Sequence, residues 1–384
     1  MSDKNGEEKR LTSYITDKAM NIFDLKTTLE LISKGFPLRT FSEEFKRLIA
    51  KKASEFDIPH DELTKKLKSD VGAQNFSNWW NGLSKSGRPI TINKENAIKI
   101  AFSLKMTVDE TQTFLTHSCW HNGFYMRDYK DLIYVFFLDK QLSYADAIMM
   151  INKYAFLDKS NHDVEQAEPL DFLPGYERIT DKIQKHFEKN VATVEDLGDF
   201  LKRFTVYFGS FRRKAHEKLI KMYNLIKNTN DLETTTDNEI IESVMLNIPS
   251  PKGKSMVTNE ILAKLTENTR WLGLSEIINK SEVKGSVAQV KREHLILFWL
   301  YLYGGNPELN DTSEAHSAFE ECMLIINHKL LEECGMPILD ARNPFDWLII
   351  NALYYCHFAS DDMDAVERIG EIMDALFSER DEDG

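Results

Sequence analysis

The chain has 384 residues, of which 42% are apolar and 11% aromatic, and a formal net charge of −13. This composition excludes a disordered chain, and no run approaches the ~20 apolar residues of a membrane helix. The surplus of acid also excludes nonspecific nucleic-acid binding by the whole surface.

The first ten residues are polar and lack a signal-peptide core, so a cytoplasmic protein is expected. Apolar residues recur at intervals of three and four almost throughout, and strand-like alternation is scarce, which predicts an all-α fold. Residues 1–12 read as a loose tail, and 22–32 as a helix that stops before Gly35-Phe36-Pro37. Helices are then predicted at 45–53, 60–67, 73–82, 96–104, 108–115, 129–138 and 143–154. A polar linker at 160–169 precedes helical patterns at 177–190, 194–208 and 211–226. Polar breaks at 228–238, 248–254 and 304–313 divide the remainder, and 361–377 is a last amphipathic helix before an acidic tail. The expected organisation is a tail and helix at 1–38, a helix-turn-helix domain at 39–118 and a helical extension at 119–165. A middle helical region at 166–250 and a larger C-terminal helical region at 251–384 complete it.

The pattern with the most specific implication lies at 73–82. Phe76 and Trp79 are three apart and would dock this helix on the two before it, while Gly82 permits the positive φ that ends it. Gln74, Asn75, Ser77 and Asn78 cover much of the remaining surface. Amide side chains at the start of a helix in the major groove can read adenine, and serine can contact bases or phosphate. Lys85, Arg88 and Lys94 follow and are candidates for holding phosphates. Residues 40–105 carry 12 Lys+Arg against 8 Asp+Glu, a net of +4 that leaves −17 on the remainder. A basic island on an acidic chain suits one defined binding face. The other reading of 73–82 is a polar, solvated helix with two core aromatics.

His60-Asp-Glu-Leu63, Phe76-Ser-Asn-Trp79 with Gly82, and the following 96–104 and Met106-Thr-Val-Asp-Glu110 resemble the Xre/Cro-like helix-turn-helix family of bacterial and phage regulators. The resemblance covers about a fifth of the chain and implies a dimeric repressor or activator that binds double-stranded DNA. Three features depart from that family. The connector from 67 to 76 is about two residues longer, Trp80 stands where the family commonly has an acid, and loop 83–91 is longer. The larger acidic region would then oligomerise, as a homodimer, or sense a partner. The competing class is a protein-interaction module, for example in phage defence or mobile-element control. In it the helix-turn-helix is scaffold and the acidic C-terminal region binds a protein.

An internal echo suggests a diverged duplication. Leu115, Cys119, Arg127, Asp131 and Leu138 recur, without a gap, as Leu330, Cys334, Arg342, Asp346 and Leu353, each 215 residues on. Asp or Asn at the shared turn can cap the helix that follows, and an acid in its first turn suits the helix dipole. Arg127 and Arg342 could instead tie the turn to a neighbouring helix. A weaker echo pairs 94–102 with 291–299. The stretch 275–280 would be the decayed counterpart of the reading helix.

Enzyme readings find no support: there is no phosphate-binding glycine loop, no G-x-S-x-G and no H-E-x-x-H. The four cysteines form no C-x-x-C pair and read as reduced core thiols. His117, Cys119 and His121 lack a second ligand cluster for zinc, so neither metal nor cofactor is expected. Asp361-Asp-Met-Asp364 reads as a helix cap rather than a cation site.

Overall fold

The computed structural model describes residues 24–34, 40–85, 87–159, 179–229, 260–268, 277–278, 282–283, 286–287, 290–303, 315–330, 334, 336–358 and 363–377. The fold is all-α. In chain order the helices are α1 (Leu25–Lys34), α2 (Phe41–Phe56), α3 (His60–Val71), α4 (Ala73–Asn81), α5 (Lys94–Ser103) and α6 (Val108–Thr113). They continue as α7 (Tyr129–Asp139), α8 (Tyr144–Lys153), α9 (Ile179–Asn190), α10 (Val194–Arg203), α11 (Thr205–Thr229) and α12 (Glu260–Asn268). The last four are α13 (Arg292–Tyr303), α14 (Ala315–His328), α15 (Pro344–Phe358) and α16 (Ala365–Phe377). Among the described residues a two-stranded antiparallel ladder pairs Glu282–Val283 with Ser286–Val287. Among the described residues no helix is long and apolar enough to cross a membrane.

Helix starts follow their caps. Thr40 and Glu43 form a capping box at α2, Thr107 and Glu110 another at α6, and Thr193 and Asp196 a third at α10. Asn93, Asp128 and Ser143 cap α5, α7 and α8 through their side chains. Asp364 accepts from the Glu367 amide and so caps α16, while Asp361 and Asp362 lie outside the described residues. So do the tails and the whole of the linker and breaks expected at 160–169, 248–254 and 304–313, together with 230–238 of the break before them. Of the stretch 275–280 only 277–278 are described.

Several helix ends differ by a few residues from the expected ones, and two of these differences bear on the reading. α3 runs on to Val71, because Val71 continues the buried stripe of Leu63 and Leu67, and Gly72 alone joins it to α4. The apparent extra length of that connector is therefore helix. Gly72 has φ 92°, a backbone conformation open to glycine and strained for other residues. Downstream, the break between the helices expected at 194–208 and 211–226 falls at Phe204, and Gly209 lies within the 25-residue α11.

Two apolar cores result. One gathers residues from Phe41 to Phe208, so packing is continuous across position 118 from α2–α6 into α7–α10. The other gathers Ile32 of α1, Trp120, the later part of α11 and α12–α16. α11, about 37 Å long at 1.5 Å per residue, enters both: Tyr207 and Phe208 in the first, Leu219 and Ile226 in the second.

Hydrogen bonds recur at the 215-residue interval. The amides of His121 and Met336 donate to Leu115 O and Leu330 O over 2.8 and 2.7 Å. The Phe124 amide donates to Gln112 Oε1 over 2.7 Å, and the Leu339 amide to Asn327 Oδ1 over 2.8 Å. Tyr125 N and Asp340 N donate to Asp131 Oδ2 and Asp346 Oδ2 over 2.9 and 2.8 Å. Asp128 and Asn343 accept from the amides two residues on, capping α7 and α15. One substitution pair is matched in size. A Cβ on Gly123 would lie 1.8 Å from Gln112 Nε2, whereas 215 residues on the shorter Asn327 takes the place of Gln112 and Ile338 the place of Gly123.

Each of these turns is held by an ion pair, part-buried at the first and buried at the second. Lys94 Nζ, at the start of α5, reaches Asp131 Oδ2 at 2.6 Å and Gly123 O at 3.0 Å. Arg292, at the start of α13, grips both Asp346 oxygens at 2.7 Å and reaches Pro337 O and Ile338 O. Lys94 therefore corresponds to Arg292, one residue later than the pairing 94 with 291 expected from sequence. Burial pushes the Asp131 and Asp346 carboxyls up, and the neighbouring cations oppose it. Removing one partner of such a pair strands the other charge. Arg292→Met is expected to cost about 3–5 kcal/mol in a urea titration, and a loss below about 1 kcal/mol would show that Asp346 is not left as an uncompensated buried charge.

Candidate nucleic-acid interface

α4 is anchored by its aromatic side. Phe76 and Trp79 are buried and meet Phe45 of α2 edge-on, with ring centres 5.6 and 6.2 Å apart. Trp80 is half-buried rather than free. It stacks on Phe76 at 5.5 Å, meets His60 at 5.9 Å, and carries Lys46 Nζ 5.5 Å from its ring centre. Its carbonyl accepts from Ser42 Oγ at 2.7 Å, tying the end of α4 to the start of α2. Gly82 ends α4 at φ 71°.

The opposite side of α4 carries no titratable group. Gln74 and Asn75 are exposed, and Ser77 and Asn78 are half-buried. Gln74 Nε2 donates to Asn78 Oδ1 over 2.7 Å, Asn75 Nδ2 to Val71 O over 3.2 Å, and Ser77 Oγ to Ala73 O over 2.9 Å. These four side chains thus share one short helix, and local bonds hold three of their donors. Surface bonds of this kind are worth about 1 kcal/mol net, so exchange for an equivalent ligand bond is nearly neutral.

The loop after α4 is a small closed turn. Leu83 bridges Pro89, Ser84 N donates to Arg88 O, and Ile90 N donates to Gly82 O. Lys85 is exposed on it and Arg88 is half-exposed. Lys94 does not join this set. Its ammonium is engaged by Asp131 and Gly123 O in a cleft of about 570 Å³ between the two halves of the chain.

Other cations of the basic island are also matched. Lys51 and Lys52 of α2 both reach Glu110 of α6, at 2.9 and 2.7 Å. Partial burial would raise the Glu110 carboxyl, but hydrogen bonds from these lysines and from Thr107 hold it at about 2. Glu110 and Asp131 both lie beyond residue 105, so two charges of the island's excess are answered by carboxylates outside it.

Sequence reasoning gave no sign of Glu260. It begins α12, which packs on α1 and α15, yet its Oε2 accepts from Phe41 N at 2.7 Å. The carboxyl therefore sits at the start of α2, and its Oε1 would lie 4.0 Å from a Cβ on Gly82 at the end of α4. Burial, with Glu43 nearby, pushes Glu260 up to about 7 although the amides of Phe41 and Ser42 pull it down.

Comparison of the chain with family models, with curated proteins and with solved structures gave no match.

The raised carboxyl has a defined pH signature. Glu260 binds its proton more tightly in the folded chain than at the ordinary value of 4.5, so its contribution is full below that pH and is lost as pH rises through about 7. Glu260→Gln keeps an acceptor for Phe41 N–H but does not ionise. Its urea midpoint is expected to fall less than the wild type's across that window, and an identical decline in both proteins would show that Glu260 is not the titrating group.

Proposed function

We propose that the chain is a sequence-specific DNA-binding regulator of transcription. In this reading α3, Gly72 and α4 form the helix-turn-helix, Gln74, Asn75, Ser77 and Asn78 meet base edges, and Lys85 and Arg88 hold phosphates. The observation that carries it is the uncharged face of α4, exposed at Gln74 and Asn75 and half-buried at Ser77 and Asn78, opposite the buried Phe76 and Trp79, with two cations on the loop that follows. Uncharged amides supply the paired donors and acceptors that base edges require, and flanking cations supply affinity without sequence information. Lys94 is left out of the phosphate set because Asp131 holds it. A protein-interaction module is the second reading. It is favoured by the internal neutralisation of Lys51, Lys52 and Lys94, which weakens the field that would draw a polyanion.

Retention of fragments from a genomic library at two salt concentrations separates the two. A defined site whose affinity drops with salt supports DNA binding, and no retention at low salt rejects it. Given such a site, Gln74→Ala with Asn78→Ala is expected to abolish sequence preference while the helical circular-dichroism signal stays intact. Lys85→Gln with Arg88→Gln is expected to weaken binding on all sequences alike and to lower the salt slope by about 0.9 per lost contact. Equal loss on every sequence from the first pair would contradict base reading.

We also infer that 112–138 and 327–353, each with the ion-pairing helix α5 or α13 before it, are two copies of one unit. The hydrogen bonds shared at the 215-residue interval support this. If so, Lys94→Arg places in the first copy the residue that the second uses. It is expected to match the wild type in thermal melting, whereas Lys94→Met falls well below it. An arginine variant as unstable as the methionine variant would count against common descent of the two pairs.

A further inference from the structure

Lys94 and Arg292 hold equivalent turns with different numbers of donors. Arg292 Nη2 bridges Asp346 Oδ2 and Ile338 O, and Lys94 Nζ bridges the equivalent Asp131 Oδ2 and Gly123 O. The ammonium therefore takes the part of Nη2. Arg292 brings two donors more: Nη1 meets Asp346 Oδ1 and Nε meets Pro337 O, each at 2.7 Å. The single nitrogen of lysine serves neither place. The acceptors 215 residues earlier are Asp131 Oδ1 and Asn122 O, and among the described residues neither accepts a hydrogen bond. Asp131 is only 6% exposed, so its Oδ1 is largely withdrawn from bulk water. A carboxylate oxygen placed in this way gains most from a charged donor.

Both acceptors belong to residues that line the cleft of about 570 Å³ between the halves. Small-molecule sites span ~300–1,000 Å³, so the cleft is of that class. Burial pushes the Asp131 carboxyl up, Lys94 offsets part of this, and the nearby Asp128 adds to the rise. A second cation at Oδ1 would relieve it. From the C-terminal half Lys291 lines the same cleft, exposed and without an ion pair among the described residues. Arg127 and Lys130 line it as well, so the cleft mixes charges and favours a ligand that carries both signs. A guanidinium with a carboxylate at its far end has that chemistry. In the second turn one guanidinium already meets the equivalents of both acceptors. Its planar fork suits a carboxylate oxygen and a carbonyl better than a single ammonium does.

We propose that this cleft binds a small guanidino acid of the arginine type, its guanidinium on Asp131 Oδ1 and Asn122 O and its carboxylate on Lys291. The proposal uses the likeness of the two turns, not their descent, and stands apart from DNA binding. The test is isothermal titration of the full chain with three probes: L-arginine, agmatine, which lacks the carboxylate, and L-lysine, which lacks the guanidinium. One site for L-arginine is expected, with each of the other two bound about tenfold more weakly. Lys94→Arg supplies the chain's own guanidinium, as Arg292 does in the second turn. It is expected to abolish binding while the helical circular-dichroism signal stays intact. Lys291→Gln is expected to weaken L-arginine about tenfold and to leave agmatine unchanged. In the wild type L-arginine is expected to move the amide resonance of Tyr125, which donates to Asp131. No heat with millimolar L-arginine overturns the proposal, as does undiminished affinity in Lys94→Arg. Saturable heat without a shift at Tyr125 places the ligand elsewhere and overturns it too. Equal affinity for L-lysine overturns the guanidinium contact, and equal loss of agmatine and L-arginine in Lys291→Gln overturns the carboxylate contact.

Discussion

A carboxyl group buried in the first turn of an apolar helix is pushed toward its neutral form unless a cation follows it inside. That constraint organises both halves of the chain. Asp131 and Asp346 each accept a backbone amide from the turn before their helix and a cation from the first residue of another helix. One carboxyl group therefore fixes three segments at once: the helix it sits on, the turn behind it, and the helix that supplies the cation. The two solutions differ in degree. The planar guanidinium of Arg292 matches both carboxylate oxygens and two carbonyls, and the pair is almost sealed, with side chains 3% and 2% exposed. The ammonium of Lys94 meets one oxygen and one carbonyl, and remains 31% exposed beside the cleft.

Electrostatics also explains why the basic island reads differently once folded. Counted along the sequence, Lys51, Lys52 and Lys94 are surplus charge; in the fold they clamp α2 to α6 and α5 to α7. What is left around α4 is a helix without charge, rimmed by Lys46, Lys85 and Arg88. The C-terminal half touches this region through Glu260, whose contacts fall where α2 begins and α4 ends. The junction of those two helix ends is thus a joint between the halves and not a free corner of a separate domain.

The helices were legible because their apolar spacing is regular and their caps are standard. The 215-residue echo was legible because no insertion separates its five matched residues. The one-residue error at Lys291 and Arg292 came from two adjacent cations, either of which fits a pattern of charge. Lys94 was misplaced for a deeper reason. A lysine before a helix looks the same whether it faces a phosphate or a carboxylate, and Asp131 lies 37 residues away along the chain. Glu260 and Phe41, 219 residues apart, leave no local trace at all. The extension of α3 to Val71 was missed because Lys68-Ser69-Asp70 is polar, although Val71 returns to the buried stripe one turn after Leu67.

The place of α1 has a consequence for how the protein is made. α1 precedes every other described helix, yet Thr28 and Ile32 are buried, and the helix docks against α12 and α16. The surface that receives it ends at Phe377, so α1 leaves the ribosome roughly 340 residues before its seat exists. At ~5–20 residues per second, synthesis leaves that amphipathic helix without its partner for on the order of tens of seconds. The first core can close on its own chain during that interval, but the second cannot. Docking of α1 therefore waits for the synthesis of α16, and until then the nascent protein displays an apolar stripe of the kind that chaperones hold.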